Sequence, residues 1–427
     1  MTDLIYPTLD LFLYVLKTSL NTTDAETQKN KAAFLAQLPP NTQFNDPDIE
    51  IEYLELTPNK EIDFLSHNKA LAGYYYPVRL NDTYGLQIDC SINNQTEPQP
   101  VKSFRILKEE IEQRLNPELK PIGQTWMVSG SQPENSSQNP EDIAKDCYYS
   151  LFKNTAWQPN KGSFLDGNIF EISHSETTNN HEHHVIIAIY PNQDIAKQAA
   201  EFYKDWMGLF CYRSKMEWAY LQSRLVKESL LNHYKQIEEN RKITTLINSK
   251  QEKQNITISR KILNNIDIIL QQYTIDLLNL SFQKQIIEIN LSNYQIRLAE
   301  IKRKAGQNNQ LDFFEKFSEL ATKKYIPQIT KDIENMQLGL QLLEDTINAT
   351  RSRIEVEKAE RDRNFQELVA ATGAGIATAS LVRETAKDCK DIFQQVRFSC
   401  NYPFLSSLMV GVIVGFVVWW LRKRWRS

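Results

Sequence analysis

Residues 404–421 read FLSSLMVGVIVGFVVWWL, and the basic tail RKRWRS follows at 422–427. A helix of about 18 residues rises about 27 Å, which is close to the thickness of the hydrocarbon core of a bilayer. Trp419 and Trp420 stand where aromatic side chains meet the lipid headgroups. The charged tail stays out of the lipid because burying a cation there is costly. The stretch Phe404–Leu421 therefore predicts a transmembrane helix.

A weaker apolar segment precedes it, LVAATGAGIATASLV at Leu368–Val382. The segment carries no charge, but as a helix of about 15 residues it would span only about 22 Å. Ala371, Gly375 and Ala379 recur at every fourth position, a spacing that lets helices approach closely. We therefore expect a first crossing that is surrounded by protein and lines a pore. The residues expected in the narrow region of this pore are Thr372, Gly375 and Thr378.

The direction of the chain across the membrane bears on this second crossing. The N-terminal sequence MTDLIYPTLDLFLYVLK lacks a basic region and a small-residue cleavage site, so we do not expect a signal peptide. The bulk of the chain is then expected in the cytoplasm. A single crossing would place the basic tail on the far side, against the tendency of basic residues to stay on the cytoplasmic side. A crossing by Leu368–Val382 would return the tail to the cytoplasm. The alternative is that this segment is a soluble or membrane-surface helix in a single-pass protein.

Length and composition set broader limits. With 427 residues, the chain is expected to form two or three domains. The net charge of −4 and the pI of about 6.0 give no electrostatic reason to expect nucleic acid as a partner. The five cysteines form no CxxC pair, which favours a reducing compartment for most of the chain.

Residues 1–193 predict a mixed α/β domain in the cytoplasm. Asn81-Asp82 separates two strand-like runs and marks a turn. Helices are predicted at Leu9–Leu16, Lys29–Gln37, Lys102–Leu115 and Pro140–Phe152. About six strands are predicted, at Glu50–Leu56, Ala70–Leu80, Tyr84–Ser91, Gln124–Val128, Phe164–Ser173 and His184–Tyr190.

Residues 194–367 predict a stalk of long helices. Asp194–Lys250 reads as one helix and residues 256–303 as a second. A third begins at Leu311, and Pro327 kinks or interrupts it. The second has apolar residues spaced alternately by three and four, which predicts a coiled-coil seam with Lys284 as its single charged position. The seam consists of Leu263, Ile266, Leu270, Tyr273, Leu277, Leu280, Lys284, Ile287, Leu291, Tyr294, Leu298 and Ile301.

A charged belt, which includes Arg361 and Arg363, follows the third helix and runs without a break toward the first apolar segment. The cations expected in basic rings at the inner mouth of a pore are Arg361, Arg363, Arg422, Lys423 and Arg424. The expected fold class is thus an α+β membrane protein with an N-terminal α/β domain, a coiled-coil stalk and a transmembrane region over residues 368–427.

This order of elements resembles the CorA-type divalent-cation transporters and their relatives, over most of the chain. The resemblance implies a cytoplasmic α/β domain, a last long helix that continues into a pore-lining membrane helix, a second membrane helix with a basic tail, and a homopentamer in a bacterial inner membrane. The Gly-Met-Asn signature of the transporters has no counterpart in Val382–Pro403. In this respect the chain looks more like the divergent CorA-like proteins that act as membrane effectors in bacterial immunity.

Smaller groups of residues give only weak indications of a chemical role. His181 and His183 could share a face at the start of a strand, but no further ligand stands at suitable spacing, and a polar loop is the preferred interpretation. Cys389 and Cys400 would share the outer loop of a two-pass protein, where a disulfide is chemically feasible. No catalytic motif and no cofactor-binding motif was recognised, so we do not expect an enzyme.

Two functions remain open. The first is a homo-oligomeric channel or membrane effector that is gated through its cytoplasmic domain by a small-molecule or protein activator and contacts membrane lipid. The second is a single-pass, tail-anchored coiled-coil adaptor that recruits protein partners to the membrane. The side of the membrane that holds the C-terminus distinguishes them.

Overall fold

A computed structural model describes residues 2–19, 22–49, 51–67, 69–93, 96–134, 136–152, 156–174, 183–247, 252–306 and 309–353. Within these ranges, no helix is long and apolar enough to cross a membrane. The segments Leu368–Val382 and Phe404–Leu421, the belt cations Arg361 and Arg363, the basic tail and His181 lie outside them, as do Cys389 and Cys400.

The described residues alternate at first between strands and short helices and end in long helices. The strands are β1 (Asp3–Leu16), β2 (Leu54–Glu55), β3 (Ile62–Leu65), β4 (Leu71–Leu80), β5 (Thr83–Ile92), β6 (Pro98–Pro100), β7 (Gly123–Ser131), β8 (Asn160–Phe164), β9 (Gly167–His174) and β10 (His183–Tyr190). The helices are α1 (Asp24–Leu35), α2 (Ser103–Gln113), α3 (Pro140–Leu151), α4 (Gln193–Ala200), α5 (Tyr203–Ile247), α6 (Glu252–Ala305), α7 (Asp312–Leu320) and α8 (Ile326–Arg353).

The chain divides into two compact units. Among the described residues, the first unit, called the sheet unit here, lies within Met1–Gln222 and Ile286–Gln328, and the second, called the helical unit, lies within Ser223–Gln285 and residues 329–353. Helices α5 and α6 therefore contribute residues to both units.

The sheet unit is built on one ten-stranded sheet in the order β2-β4-β5-β1-β7-β10-β9-β8, with β3 also paired to β4 and β6 to β1. Only β7 and β10 pair in parallel; the other pairs are antiparallel. Strand β1 lies near the centre, where both of its faces are covered. Successive side chains of β1 point to opposite faces of the sheet, and they are buried on both faces.

One face of the sheet packs against α1, α2 and α3. The odd-numbered residues of β1 from Leu9 to Val15 join this apolar core. The helices add Phe34 from α1, and the further members from α2 and α3 are Phe104, Leu107, Ile111, Ile143, Ala144, Cys147 and Leu151.

The opposite face carries the first part of α5. Phe12 of β1 lies edge-on to Phe210 with ring centroids 5.3 Å apart. The hydroxyl of Tyr14 donates a hydrogen bond of 2.9 Å to the main-chain carbonyl of Met207. Nearby, α6 is tied to α5 through Asp205, whose carboxylate lies 2.8 Å from the amine of Lys304. Helix α5 thus begins against the sheet, and the C-terminal end of α6 lies beside the first turn of α5.

The helical unit is held by both apolar and polar contacts. The hydroxyl of Tyr273 on α6 donates to the carbonyl of Met336 on α8 at 2.8 Å. Gly339 leaves room for that hydroxyl, because a Cβ atom there would lie only 2.7 Å from it. Asp332 of α8 is buried and lies 2.7 Å from Arg224 and 2.8 Å from Lys227 on α5.

The predicted seam of α6 is buried in each unit, except at Lys284, which is half-buried; the side chain of Leu263 lies outside the described residues. Its buried members are Ile266, Leu270, Tyr273, Leu277, Leu280, Ile287, Leu291, Tyr294, Leu298 and Ile301.

The predicted helix at Leu9–Leu16 is wrong, because these residues form β1. Both faces of β1 are covered, so apolar residues follow one another without the alternation that marks a half-buried strand. The strand predicted at Phe164–Ser173 is a hairpin of β8 and β9, with Leu165 and Asp166 at positive φ in a two-residue turn.

Three further expectations also need correction. Within the described residues the sheet has ten strands rather than about six, because the sequence predicts a helix in place of β1 and the short strands β3, β6 and β8 have no clear sequence pattern. Only Leu54–Glu55 of the predicted strand Glu50–Leu56 is a strand. The predicted helix Asp194–Lys250 is divided into α4 and α5. The turn at Asn81-Asp82 is confirmed between β4 and β5.

Near Pro327, where a kink or an interruption is expected, the helix contains a π-helical turn over Ala321–Tyr325. The amide of Ile326 donates to the carbonyl of Ala321, five residues back. Proline has no amide hydrogen and its ring would crowd the preceding turn, so a wider turn just before Pro327 keeps the helix continuous.

Candidate functional site

A row of polar side chains crosses the sheet on the face that carries α5. Strand register places Asp10 of β1 opposite Asp89 of β5 on one side and opposite Met127 of β7 on the other. Continuing past β7, the row reaches Ile186 of β10 and then Glu171 of β9. Directly opposed residues point to the same face, so three carboxyl groups separated by up to 161 positions in sequence share one surface of the sheet.

The first part of the row is a pair of carboxyls. Asp10 is fully buried and Asp89 is half-buried, and the two are hydrogen-bonded to each other. Burial raises the pKa of Asp10 to about 6 despite its hydrogen bonds. Burial and then the charge of Asp10 raise the pKa of Asp89 well above its usual range, so Asp89 is the protonated donor of the pair.

Hydrogen-bond donors surround Asp10. The amide of Gln87 donates to its Oδ1 at 2.8 Å, and the hydroxyl of Tyr203, the first residue of α5, donates to its Oδ2 at 2.8 Å. No cation among the described residues pairs with Asp10, which explains why burial dominates its pKa. The pair therefore holds a proton where α5 begins on the sheet.

The second part of the row is an ionised group. Arg213 of α5 is buried and donates to Glu171 at 2.7 Å and to Ser173 at 3.1 Å. The amide of Asn160 donates to the other oxygen of Glu171 at 3.0 Å. Burial would raise the pKa of Glu171, but Arg213 and the hydrogen bonds outweigh it and lower the pKa to about 2. This carboxyl is ionised throughout the physiological range.

His184 completes the second group without adding charge. Burial and the nearby Arg213 lower its pKa to about 4, so the ring is neutral at pH 7. Its Nε2 lies 3.3 Å from Glu171, and its Nδ1 lies 2.8 Å from the hydroxyl of Thr125. An ionised carboxylate can only accept, so Nε2 carries the proton and Nδ1 accepts from Thr125.

This row and its partners on α5, called the joint here, connect α5 to the sheet. Burial raises the pKa of the thiols of Cys90 and Cys211 to about 12 and that of Cys147 well above its usual range, so these cysteines are poor nucleophiles. Across the part of the chain that the structure describes, no three His, Cys, Asp or Glu residues are placed to hold a metal ion. The row fastens α5 to the sheet at two points, through the hydrogen bond from Tyr203 to Asp10 and through the ion pair of Arg213 with Glu171.

Of the residues expected from the sequence to be functional, the structure describes only the main chain of His183. His183 is the first residue of β10, where its main chain pairs with His174, and the metal site with His181 stays untested because His181 lies outside the described residues. The remaining predicted residues also lie outside them: the pore positions Thr372, Gly375 and Thr378, the cations Arg361, Arg363, Arg422, Lys423 and Arg424, and the cysteines Cys389 and Cys400.

Sequence reasoning missed the row, although a signal was present. Each carboxyl stands alone inside an apolar strand: Asp10 in LDLFLYVL, Asp89 in LQIDCSI and Glu171 in IFEIS. A lone acid in such a run must either face solvent or find buried partners. That rule can identify each residue from its own strand, but only the strand register shows that the three lie in one row.

Comparison with known proteins adds no assignment. No protein-family model matches the sequence, and no curated protein matches it significantly.

The carboxyl pair gives a pH dependence of stability that can be measured. A carboxyl with a raised pKa binds its proton more tightly in the folded than in the unfolded state, so its contribution to stability declines as pH rises above about 4. Asp89→Asn keeps a donor toward Asp10 and removes this titration. We expect the variant to gain stability over the wild type by about 1–3 kcal/mol at pH 8, with a smaller difference at pH 5.

The thermal midpoint, followed by tryptophan fluorescence from pH 5 to pH 8, measures this difference. Asp63→Asn is the matched control, because Asp63 is exposed at the end of the same row, opposite Tyr74. Parallel curves for the wild type and Asp89→Asn would contradict the shared proton.

The ion pair predicts a larger effect. Arg213→Met should destabilise the protein by about 3–5 kcal/mol, because it leaves the carboxylate of Glu171 buried without its cation. Arg105→Met is the control, since its partner Glu109 is 2.9 Å away but both side chains are more than half exposed, and such a pair contributes at most about 1 kcal/mol. Urea unfolding compares the free energies of unfolding of the two variants. Equal midpoints would show that the buried pair of Arg213 stabilises the protein no more than the exposed pair of Arg105.

Proposed function

We propose that this chain is a two-pass, homo-oligomeric membrane protein of the CorA-like type, acting as a channel or membrane effector under the control of its α/β domain. The observation that carries the proposal is helix α5, which is fastened to the sheet by buried contacts. The same helix supplies Tyr203–Gln222 to the sheet unit and Ser223–Ile247 to the helical unit. A change in the sheet that moves Arg213 is therefore passed along a single helix.

Contacts within the helical unit support the next step of the proposed mechanism, in which the change passes from α5 to α8. Arg224 and Lys227 of α5 bind the buried carboxylate of Asp332 on α8. In sequence, α8 is followed by the charged belt and then by Leu368–Val382. The proposed path thus runs from the sheet through α5 and α8 toward the pore segment. Packed helices exchange between discrete arrangements rather than deforming gradually, which suits a gate.

The pore itself is assigned from sequence. Thr372, Gly375 and Thr378 form the narrow region, and the cations of the belt and tail form its inner mouth. The absence of a Gly-Met-Asn sequence in Val382–Pro403 argues against the magnesium selectivity of the transporters. We therefore favour a divergent pore, opened by an activator that binds the α/β domain.

Topology tests the proposal directly. Single cysteines replace Ser406 and Ser427 in a chain whose Cys389 and Cys400 are serines; Cys90, Cys147 and Cys211 are buried and can remain. Two crossings predict that an impermeant thiol reagent added to intact cells labels position 406 and spares position 427. Position 427 should then label after the membrane is permeabilised. Labelling of position 427 in intact cells would mean a single crossing and would favour the tail-anchored adaptor instead.

The pore segment has its own test. Gly375→Leu should abolish ion efflux or cell killing at an unchanged amount of protein in the membrane, because it fills the proposed constriction. Gly373→Leu is the matched control, since two residues away on a helix a side chain points to a different face. Potassium efflux from cells that express each variant is the measurement. Normal efflux through Gly375→Leu would remove this segment from the pore.

A further inference from the structure

A buried carboxylate between α1 and β2 lies at the centre of a group of donors in the sheet unit. The Oδ2 atom of Asp46 accepts a hydrogen bond from the hydroxyl of Tyr84 at 2.7 Å and lies 3.2 Å from the amine of Lys17. The amine of Lys31 is 3.8 Å from the same oxygen, and the buried guanidinium of Arg79 donates to Oδ1. The side chains of Lys17, Lys31, Arg79 and Tyr84 are called the donor cluster here.

The donor cluster carries more positive charge than its carboxylate balances. Among the described residues, Asp46 is the only acid that forms an ion pair with Lys17, Lys31 or Arg79, so three cations meet one anion. Burial would raise the pKa of Asp46, but the hydrogen bond from Tyr84 and the charges of Lys17 and Arg79 outweigh it and lower the pKa. Asp46 is therefore the ionised partner, and two positive charges remain unbalanced.

The cluster also offers more donors than a carboxylate can accept. Lys31 stays outside hydrogen-bond distance of Asp46, although only 31% of its side chain is exposed. The Nε atom of Arg79 is buried, and no acceptor for it lies among the described residues. Buried donors without acceptors cost free energy. The donor cluster therefore favours an anion with more charge and more oxygen atoms than a carboxylate has.

The segment that carries Asp46 comprises residues 39–49, called the strap here, and contains neither helix nor strand. Among the described residues, it makes one main-chain hydrogen bond to the rest of the chain, from the amide of Asn45 to the carbonyl of Leu56 at 2.9 Å. Arg79 donates to two further carbonyls of the strap at 2.8 and 2.6 Å. The donor cluster is thus a main attachment of the strap, and an anion that displaces Asp46 would weaken it.

A phosphate monoester has the properties that the donor cluster favours. Its second pKa is about 6, so above pH 7 it is mainly a dianion, and it presents three strong acceptor oxygens. A guanidinium binds phosphate through two parallel hydrogen bonds, and Lys binds it as a point charge. We propose that the donor cluster is a binding site for a phosphate monoester, and that Asp46 occupies this site until the ester displaces it.

The donor cluster is connected to α5 through one residue. The amide of Lys17 donates to the carbonyl of Asp82 at 2.8 Å, and the carboxylate of Asp82 lies 2.5 Å from the amine of Lys215 on α5. A ligand that shifts Lys17 therefore acts on the helix through which the proposed signal passes. That the ester is the activator rests on the proposed function, whereas its binding to the donor cluster does not.

Phosphate binding to the full-length protein in detergent tests the site. Inorganic phosphate is the probe, and it is titrated by calorimetry at pH 8 in a chloride buffer of constant ionic strength, so that general screening stays the same. Asp46→Asn removes the competing charge and should bind phosphate at least tenfold more tightly than the wild type does. Equal affinities of the two proteins would overturn the proposal.

A lysine at the edge of the cluster provides a second variant that disturbs no fully buried group. Added to Asp46→Asn, Lys31→Gln should weaken phosphate binding at least fivefold. Lys29→Gln is the matched control, because Lys29 is exposed on the same helix and lies outside the donor cluster. An equal loss with both substitutions would mean that phosphate is attracted only by the general charge of the surface, which would contradict a specific site.

The displacement of Asp46 has its own measurement. Phe44 of the strap is half-buried, with its ring centroid 6.3 Å from that of Tyr84. Phe44→Cys, in a chain whose Cys389 and Cys400 are serines, should react with a thiol reagent at least threefold faster when phosphate is bound. Gln43→Cys is the control, because Gln43 is already exposed. Phosphate binding without faster labelling at position 44 would overturn the displacement.

Competing esters distinguish the two sources of such a ligand. Glucose 6-phosphate represents a soluble ester, and dioctanoyl phosphatidic acid represents a lipid headgroup. The ester that displaces phosphate at the lower concentration identifies the source, and failure of both would overturn the assignment to a phosphate monoester. Failure of these experiments leaves the labelling of positions 406 and 427 unaffected, so the phosphate site and the two-pass topology are judged separately.

Discussion

The contact between Arg213 and Glu171 is the constraint on which the arrangement of the sheet unit depends. A guanidinium keeps its charge at any physiological pH, so a buried arginine must lie where a carboxylate and further acceptors can meet it. Glu171 sits on β9 and is fixed there by its own strand pairing and by Asn160. The position of α5 over the sheet follows from this requirement.

The same row of the sheet shows how a neighbouring charge decides the state of a buried acid. Asp10 and Glu171 are both buried and both accept hydrogen bonds, yet burial raises the pKa of the first and a cation lowers that of the second. The difference is the guanidinium of Arg213, which has no equivalent near Asp10 among the described residues. One end of the joint is thus sensitive to proton concentration, and the other is not.

Some of this architecture can be read from the sequence, and the rest depends on long-range contacts. The repeat of α6 is local, so its buried seam was identified position by position. The turn at Asn81-Asp82 is equally local. In contrast, Leu9–Leu16 lacks alternation because helices cover both sides of β1, and only the complete fold reveals that cover. Asp10, Asp89 and Glu171 became one row through strand register, which no single segment encodes.

The π-helical turn at Ala321–Tyr325 has a consequence for the length of chain that this stretch tolerates. Such a turn is equivalent to one extra residue inserted into an α-helix, since its hydrogen bond spans five residues instead of four. The insertion is accommodated locally, so the faces presented before and after it need not change. Deletion of one residue within Ala321–Tyr325, together with Pro327→Ala, would therefore leave an ordinary α-helical turn and keep both packing faces.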